Sequence, residues 1–370
     1  MNDLYCPIIH GGLNIYFDHG NLAVKHCCLR EDGFLVDINT DYWKDNNFSV
    51  LREQNKQNVW AHGCENCQGL EASGQVSFRS GMKQGLGVSG YELSGPSRID
   101  ITGDISCNLA CRTCGPNSST YWQKHLKIHN QWDKPVETSE YYNKIILALK
   151  KLDLSNLRML VFCGGETLLG QAYWSIANWL ADNVPNAKQQ LTLCFQTNGT
   201  QSIHPNQYKL LDRFHLVKLH ISLDGIGERF EYLRWPAAWD QVVDNIQQIR
   251  DLAPSNTMFL IEETISIFNL WYSDELSQWV NHNFTTNREG DPIDHTKHLA
   301  IGIFSLAACS QEYVAAMSRS NQRHLIPKTW QENPDNINKM ISEIKKFDNF
   351  RNQSFEKTFP KVAEFYARFL

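Results

Sequence analysis

Between residues 98 and 304, short apolar runs rich in β-branched and aromatic residues alternate with longer stretches whose apolar positions recur at helical spacing. The short runs predict strands over 98–105, 158–163, 190–197, 216–223, 257–267 and 296–304. The longer ones predict helices near 118–130, 139–152, 171–184, 205–213, 238–252 and 271–283, with start signals at Ser139 and Asp274 and a stop at Pro254 after Ala253. In 238–252, Ala238, Val242, Val243, Ile246 and Ile249 share one helical face that can lie on a sheet. Six strand-helix alternations predict an α/β fold of successive βα units around a parallel sheet.

The flanks break this rhythm. Near the N-terminus, residues 14–17 and 21–24 flank Asp18-His19-Gly20, which reads as a hairpin turn. A glycine-rich connection over 80–90 then separates this region from the alternating part. After residue 305, Ile337, Met340, Ile341, Ile344 and Phe347 mark one amphipathic helix and Val362, Phe365, Tyr366 and Phe369 another. Stripes of this kind are read as core packing rather than as a groove for a peptide. The expected division is an N-terminal domain over 1–92, a barrel over 93–304 and a helical segment over 305–370.

Charge narrows the functional classes. The 370 residues carry 35 basic and 40 acidic side chains, a net charge of -5, without a long run of either sign. That leaves no footprint for nucleic acid or an anionic membrane. Eleven tryptophans are scattered, without the aromatic and basic interleaving of a single-strand binder. Residues 1–7 lack the basic start and apolar stretch of a signal peptide, and no apolar run approaches the roughly 18 residues that span a bilayer. A soluble, cytoplasmic protein is expected. Eleven cysteines, an odd number with several in tight pairs, suit metal ligation in a reducing compartment better than a disulfide framework.

Two cysteine groups carry the candidate chemistry. Cys107, Cys111 and Cys114 supply three thiolates with no fourth cysteine nearby. Such a set can hold a 4Fe-4S cluster with one iron left open, or a structural zinc ion with His125 or His129 as the fourth ligand. Upstream, Cys64 and Cys67 follow Cys6, Cys27 and Cys28, and the hairpin returns Cys28 towards the end where Cys6 begins. Cys6, Cys28, Cys64 and Cys67 could therefore converge on an auxiliary 4Fe-4S cluster, or on zinc. Cys163, Cys194 and Cys309 lie in apolar surroundings and read as core.

In a parallel barrel the working residues sit on loops after the C-terminal strand ends. Here those loops carry Gly164-Gly165-Glu166, Thr197-Asn198-Gly199 and Ser222-Leu223-Asp224-Gly225. Two glycines let backbones approach closely, and a carboxylate can receive an ammonium group. On the fifth strand, Glu262, Glu263, Thr264 and Ser266 lead to Asn269, and alternation turns some of them inward.

The spacing of Cys107, Cys111 and Cys114, with Asn108-Leu109 after the first, resembles the cluster motif of the radical S-adenosylmethionine (SAM) enzymes. Thr113 stands where that family often has an aromatic residue. The resemblance implies a partial (β/α)6 TIM-like barrel with a SAM-binding 4Fe-4S cluster that generates a 5′-deoxyadenosyl radical. It also implies that Gly164, Gly165 and Glu166 bind the SAM amino group and that Asn198 lines the pocket. Ser222 and Asp224 would meet the ribose or the substrate, and Arg234 would neutralise the SAM carboxylate. Residues 60–79 resemble the cysteine-pair region of twitch and SPASM proteins, although here that region precedes the barrel. The expected substrate is a ribosomally made peptide, modified by oxidation, crosslinking or epimerisation. An amino sugar or nucleoside is the alternative, and the expected partner is a one-electron reductant such as flavodoxin or ferredoxin. A binding protein stabilised by two zinc sites is the rival of another class, but it gives no reason for Glu166 and Ser222 to fall at successive strand ends. No catalytic acid or base is legible.

Overall fold

Nine strands among the described residues form one sheet: β1 (Gly12–Asp18), β2 (Asn21–Lys25), β3 (Phe34–Leu35), β4 (Arg98–Thr102), β5 (Met159–Cys163), β6 (Thr192–Thr197), β7 (Leu216–Ser222), β8 (Thr257–Ile265) and β9 (Asp294–Leu299). The computed structural model describes residues 4–18, 21–30, 33–37, 39–72, 74–85, 93–131, 142–284, 293–300, 302–317, 320–326 and 330–370. His19 and Gly20 of the expected turn, residues 86–90 of the glycine-rich connection and the helix start at Ser139 lie outside them.

The spatial order is β3-β2-β1-β4-β5-β6-β7-β8-β9, and β4 to β9 run parallel throughout. Helices such as Gln171–Asn183 and Trp239–Leu252 make the crossovers. The sheet is open, with β3 and β9 as its edges. All six strands expected over 98–304 are present. The last ends earlier than its pattern suggested, because Gly302, at φ +78°, turns the chain into a short 3-10 segment over Gly302–Phe304.

Alternation along β7 shows how the sheet is packed. Val217, Leu219 and Ile221 are buried on one face, while Lys218, His220 and Ser222 stay partly accessible on the other. Behind the buried face, Phe162 and Phe195 meet at 5.0 Å, and Trp174 of the 171–183 helix stacks on Phe195 at 4.9 Å. Helix Pro334–Arg351 buries Ile337, Met340, Ile341, Ile344 and Phe347, the stripe seen in the sequence. Four of these join a second core with Tyr232, Phe268, Phe304 and Tyr366.

The first 35 residues add strands to this same sheet. β1 lies parallel to β4, from Gly12 opposite Arg98 to Tyr16 opposite Thr102, and β2 returns antiparallel. Leu13, Ile15, Val24, Trp43 and Phe48 accordingly share one core with Ile99, Leu160 and Phe195. Phe195 is fully buried between two aromatic partners. Replacing it with alanine should cost about 3–5 kcal/mol, read as a lower denaturant midpoint; a midpoint unchanged from wild type would show that the site collapses without loss.

Candidate active site and cysteine cavity

The loop from β4 to helix Thr120–Ile128 carries Cys107, Cys111 and Cys114, and its path is fixed by protein groups. Ser119 caps the helix by accepting from Trp122 N–H at 3.2 Å, and its hydroxyl donates to the Leu109 carbonyl at 2.6 Å. The Cys107 N–H donates to Thr120 Oγ1 at 3.2 Å, and Trp122 Nε1–H donates to the Cys111 carbonyl at 2.9 Å. Ala110 and Arg112 N–H groups donate to the carbonyls of Trp235 and Leu233 at 2.8 and 2.7 Å. Cys107 and Cys111 are half-buried and Cys114 is exposed.

The end of β5 lies directly against this loop. Gly164 and Gly165 have φ of +87° and +54°, and a side chain on Gly165 would be driven into the Ser106 carbonyl. The Glu166 N–H donates to that carbonyl at 2.8 Å. The buried Glu166 carboxylate accepts from Leu168 N–H at 3.0 Å, Thr197 Oγ1 at 2.8 Å and Asn198 N–H at 2.6 Å. Burial raises its carboxyl above the usual range. Glu166 therefore clamps the ends of β5 and β6 together.

Asn198 reaches back to the cysteine loop. Its Nδ2 donates to Asn108 Oδ1 at 3.0 Å and lies 4.0 Å from Cys107 Sγ, and Asn108 in turn donates to Thr200 Oγ1 at 2.8 Å. From the end of β7, Asp224 pairs with Arg234 at 2.9 Å and accepts from Thr264 N–H at 2.8 Å. The Arg234 Nε is buried without a hydrogen-bond partner among the described residues. Ser222 sits on the accessible face of β7, opposite Glu262 in register.

This arrangement fits the implied cluster and SAM. Burial pushes the Cys107 thiol up to about 11 and raises Cys111 and Cys114, while Arg234 pulls the latter two down. Iron coordination would supply the missing drive to thiolate. The Leu109 N–H, 3.5 Å from Cys107 Sγ, and the Asn198 amide are of the kind that tune cluster sulfurs. The histidines considered as zinc ligands are engaged elsewhere: His125 packs against Trp122 and Trp235, and His129 stacks on Phe350 at 3.8 Å. Among the described residues, no three His, Cys, Asp or Glu side chains are arranged to hold a single metal ion.

The N-terminal cysteines surround a cavity walled by Cys6, Cys27, Cys64, Cys67, Ile8, Trp60 and Phe78. Cys28, expected as the fourth member, is absent from that wall. It is exposed, and its charged neighbours are Asp100, Arg98 and Lys25. Cys28 lies in the turn after β2, beside Cys27 but off the cavity wall, and a sequence alone does not say which of the two adjacent thiols lines it. Arg30 and Arg79 border the same cavity, Arg30 lying 3.9 Å from Cys64 Sγ. The cavity is at the edge of the sheet where β1 and β4 begin, whereas the 107–114 loop follows the end of β4. The five residues of β4, at about 3.3 Å each, put the two sites on the order of 15 Å apart or more.

A polar cluster on the accessible face was legible only as a run of acidic residues. Glu262 accepts from His220 Nδ1 at 2.6 Å and also binds His298 Nε2, linking β7, β8 and β9. Glu263 points the other way, to Ser273 at 2.8 Å and His295 at 3.1 Å. Burial works to raise the Glu262 carboxyl, but the two imidazoles outweigh it and hold it down at about 2. The hydrogen bond to Glu262 raises His298.

Residues 105–268 match the sequence model of the Radical SAM superfamily. Over those residues the chain is similar to radical SAM domains, and the match supports an enzyme whose cofactors are a 4Fe-4S cluster and SAM. No curated protein matches the chain. Among solved structures, native anSMEcpe with bound AdoMet and a Cp18Cys peptide is similar at 15% identity over 57% of this chain and 55% of that one, with a TM-score of 0.38. Streptococcus suis SuiB bound to S-adenosylmethionine is similar at 12% identity over 88% of this chain and 64% of that one, with a TM-score of 0.38. The chain thus spans little more than half the length of the first of these.

Two outcomes follow from the geometry. Gly165→Ala should lose most of the iron bound at the 107–114 loop while the fold persists, measured as iron per chain against circular dichroism; full loading would show that the glycine contact is dispensable. Glu262 stabilises the fold above its ordinary value of 4.5, and that contribution is lost as pH falls through about 2. His298 contributes below 6.5 and loses its contribution as pH rises through its raised folded value. Glu262→Gln should return the His298 titration, followed by imidazole NMR, towards 6.5; an unmoved titration would mean the pair is not formed.

Proposed function

We propose that this protein cleaves SAM reductively and abstracts a hydrogen atom from a ribosomally made peptide, which ends oxidised, crosslinked or epimerised. One observation carries the reading: four successive parallel strands bring the three-cysteine loop, Gly164-Gly165-Glu166, Asn198 and the Asp224–Arg234 pair to one end of the sheet. Cys107, Cys111 and Cys114 would hold three irons of the cluster. When bound, the cluster and SAM supply a 5′-deoxyadenosyl radical; the remaining tasks belong to the chain. Arg234 would meet the SAM carboxylate, its free Nε offering a donor that Asp224 does not use. The backbone at Gly164 and Gly165, with Glu166, would receive the amino group, and Ser222 and Asp224 the ribose. The Asn198–Asn108 bridge would keep Cys107 in place.

A peptide suits the open sheet, whose unclosed edges leave the accessible face of β6 to β8 reachable by a chain. In the same proposal the region 1–92 carries an auxiliary 4Fe-4S cluster on Cys6, Cys27, Cys64 and Cys67, and 305–370 closes the far side of the 93–304 core. An electron leaving the substrate would cross at least the length of β4 to reach that cluster. No described helix is long and apolar enough to cross a membrane, and a cytoplasmic one-electron donor such as flavodoxin or ferredoxin is the expected reductant.

Anaerobic reconstitution tests the core of this reading. Wild type should form 5′-deoxyadenosine from SAM and dithionite. The Cys107→Ala, Cys111→Ala, Cys114→Ala triple variant should form none while keeping about half of the bound iron, as two 4Fe-4S clusters require; undiminished cleavage would refute the assignment. Within the triple variant, a further Cys27→Ala change should remove the remaining iron and Cys28→Ala should not. The reverse pattern would restore Cys28 as the ligand.

A further inference from the structure

Arg351, the last residue of helix Pro334–Arg351, is buried, and none of its three guanidinium nitrogens has a hydrogen-bond partner among the described residues. Its cation rests on aromatic faces instead: Trp122 at 4.7 Å, Trp235 at 5.0 Å and Phe347 at 5.1 Å. Two of those rings are bonded to the cysteine loop, Trp122 through its indole N–H to the Cys111 carbonyl and Trp235 through its own carbonyl to the Ala110 N–H. The guanidinium is therefore lodged one ring away from Cys111.

The carboxylate closest at hand is already committed. Asp348 accepts from Arg112 at 2.5 Å, Tyr232 at 2.8 Å and the Phe355 N–H at 2.6 Å. A buried cation without a counter-charge is costly, and aromatic faces offset only part of that cost. Burial and the neighbouring Arg112 push the Arg351 guanidinium down to about 9, which still leaves it charged at neutral pH.

We propose that Arg351 is an electrostatic partner of the cluster on the 107–114 loop, raising its reduction potential so that a one-electron donor can reduce it. This rests on the reading of that loop as a 4Fe-4S site. The cluster takes one electron from the donor and gains one negative charge; no proton moves, and Arg351 stays protonated throughout. A cation held nearby in a dry setting favours the more negative, reduced form. Arg351 acts through the cluster, as a positioning charge and not as a catalytic residue.

The test is a mediated redox titration of the full-length, anaerobically reconstituted protein. It follows the electron paramagnetic resonance signal of the reduced cluster that added SAM perturbs. Arg351→Met should bind iron and sulfide as wild type does. At the potential where wild type is half reduced, its reduced-to-oxidised ratio should fall about tenfold, a shift of about 59 mV for a one-electron couple. Arg351→Lys should stay close to wild type at neutral pH, and as pH rises its potential should fall earlier than that of wild type, whose guanidinium keeps its proton up to about 9. An unchanged Arg351→Met potential, equal shifts in the Met and Lys variants, or a flat pH profile for Arg351→Lys would each overturn the proposal. Should Arg351→Met fail to load, the Lys profile decides alone. Absence of any SAM-perturbed signal in wild type would overturn the reading of the loop, and this inference with it.

Discussion

The ion pair between Arg112 and Asp348 is the contact on which the assembly of the site depends. The Arg112 side chain is wholly inaccessible, lies 4.0 Å from the Tyr232 ring and also reaches Gln353 at 2.9 Å. It sits between Cys111 and Cys114, so whatever moves this residue moves the cysteine loop. Breaking a buried pair by removing one partner typically costs about 3–5 kcal/mol, because the remaining charge is left uncompensated. Through Asp348, which also accepts from Tyr232, the helix over 334–351 is linked to the segment carrying Arg234 and to the cysteine loop.

That coupling ties the C-terminal helix to the cysteine loop at strand ends far from it in sequence. Its apolar stripe builds the second core with Tyr232, Phe268 and Phe304, and its last turn sets Arg351 behind Cys111. A stripe of this kind looks the same whether it packs a core or serves a site. Here it does both.

The two cysteine groups belong to opposite ends of the same strands. Parallel pairing of β1 with β4 puts Cys6 where the strands begin and Cys107 after they end. An auxiliary cluster at the N-terminal edge would be a terminus or relay for electrons and not a neighbour of the substrate. The accessible face between the two ends carries Glu262, which joins His220 and His298.

How much of this was legible in the sequence follows from the range of each signal. Period-two and period-3.6 patterning depends on neighbours within a few residues, so the six parallel strands and the C-terminal stripe could be read directly. The spacing of Cys107, Cys111 and Cys114 and the paired glycines at 164 and 165 are equally local. Three things were decided by contacts between residues far apart in the chain. One is the addition of β1 to β3 to the same sheet, where a hairpin pattern carries no record of its partner. Another is the choice of Cys27 over Cys28 to face the cavity, which turns on the direction of a single side chain. The last is the pairing of Arg112 with Asp348, 236 residues apart. Local patterning dictates which way a residue can point, but only the packed chain determines what it meets there.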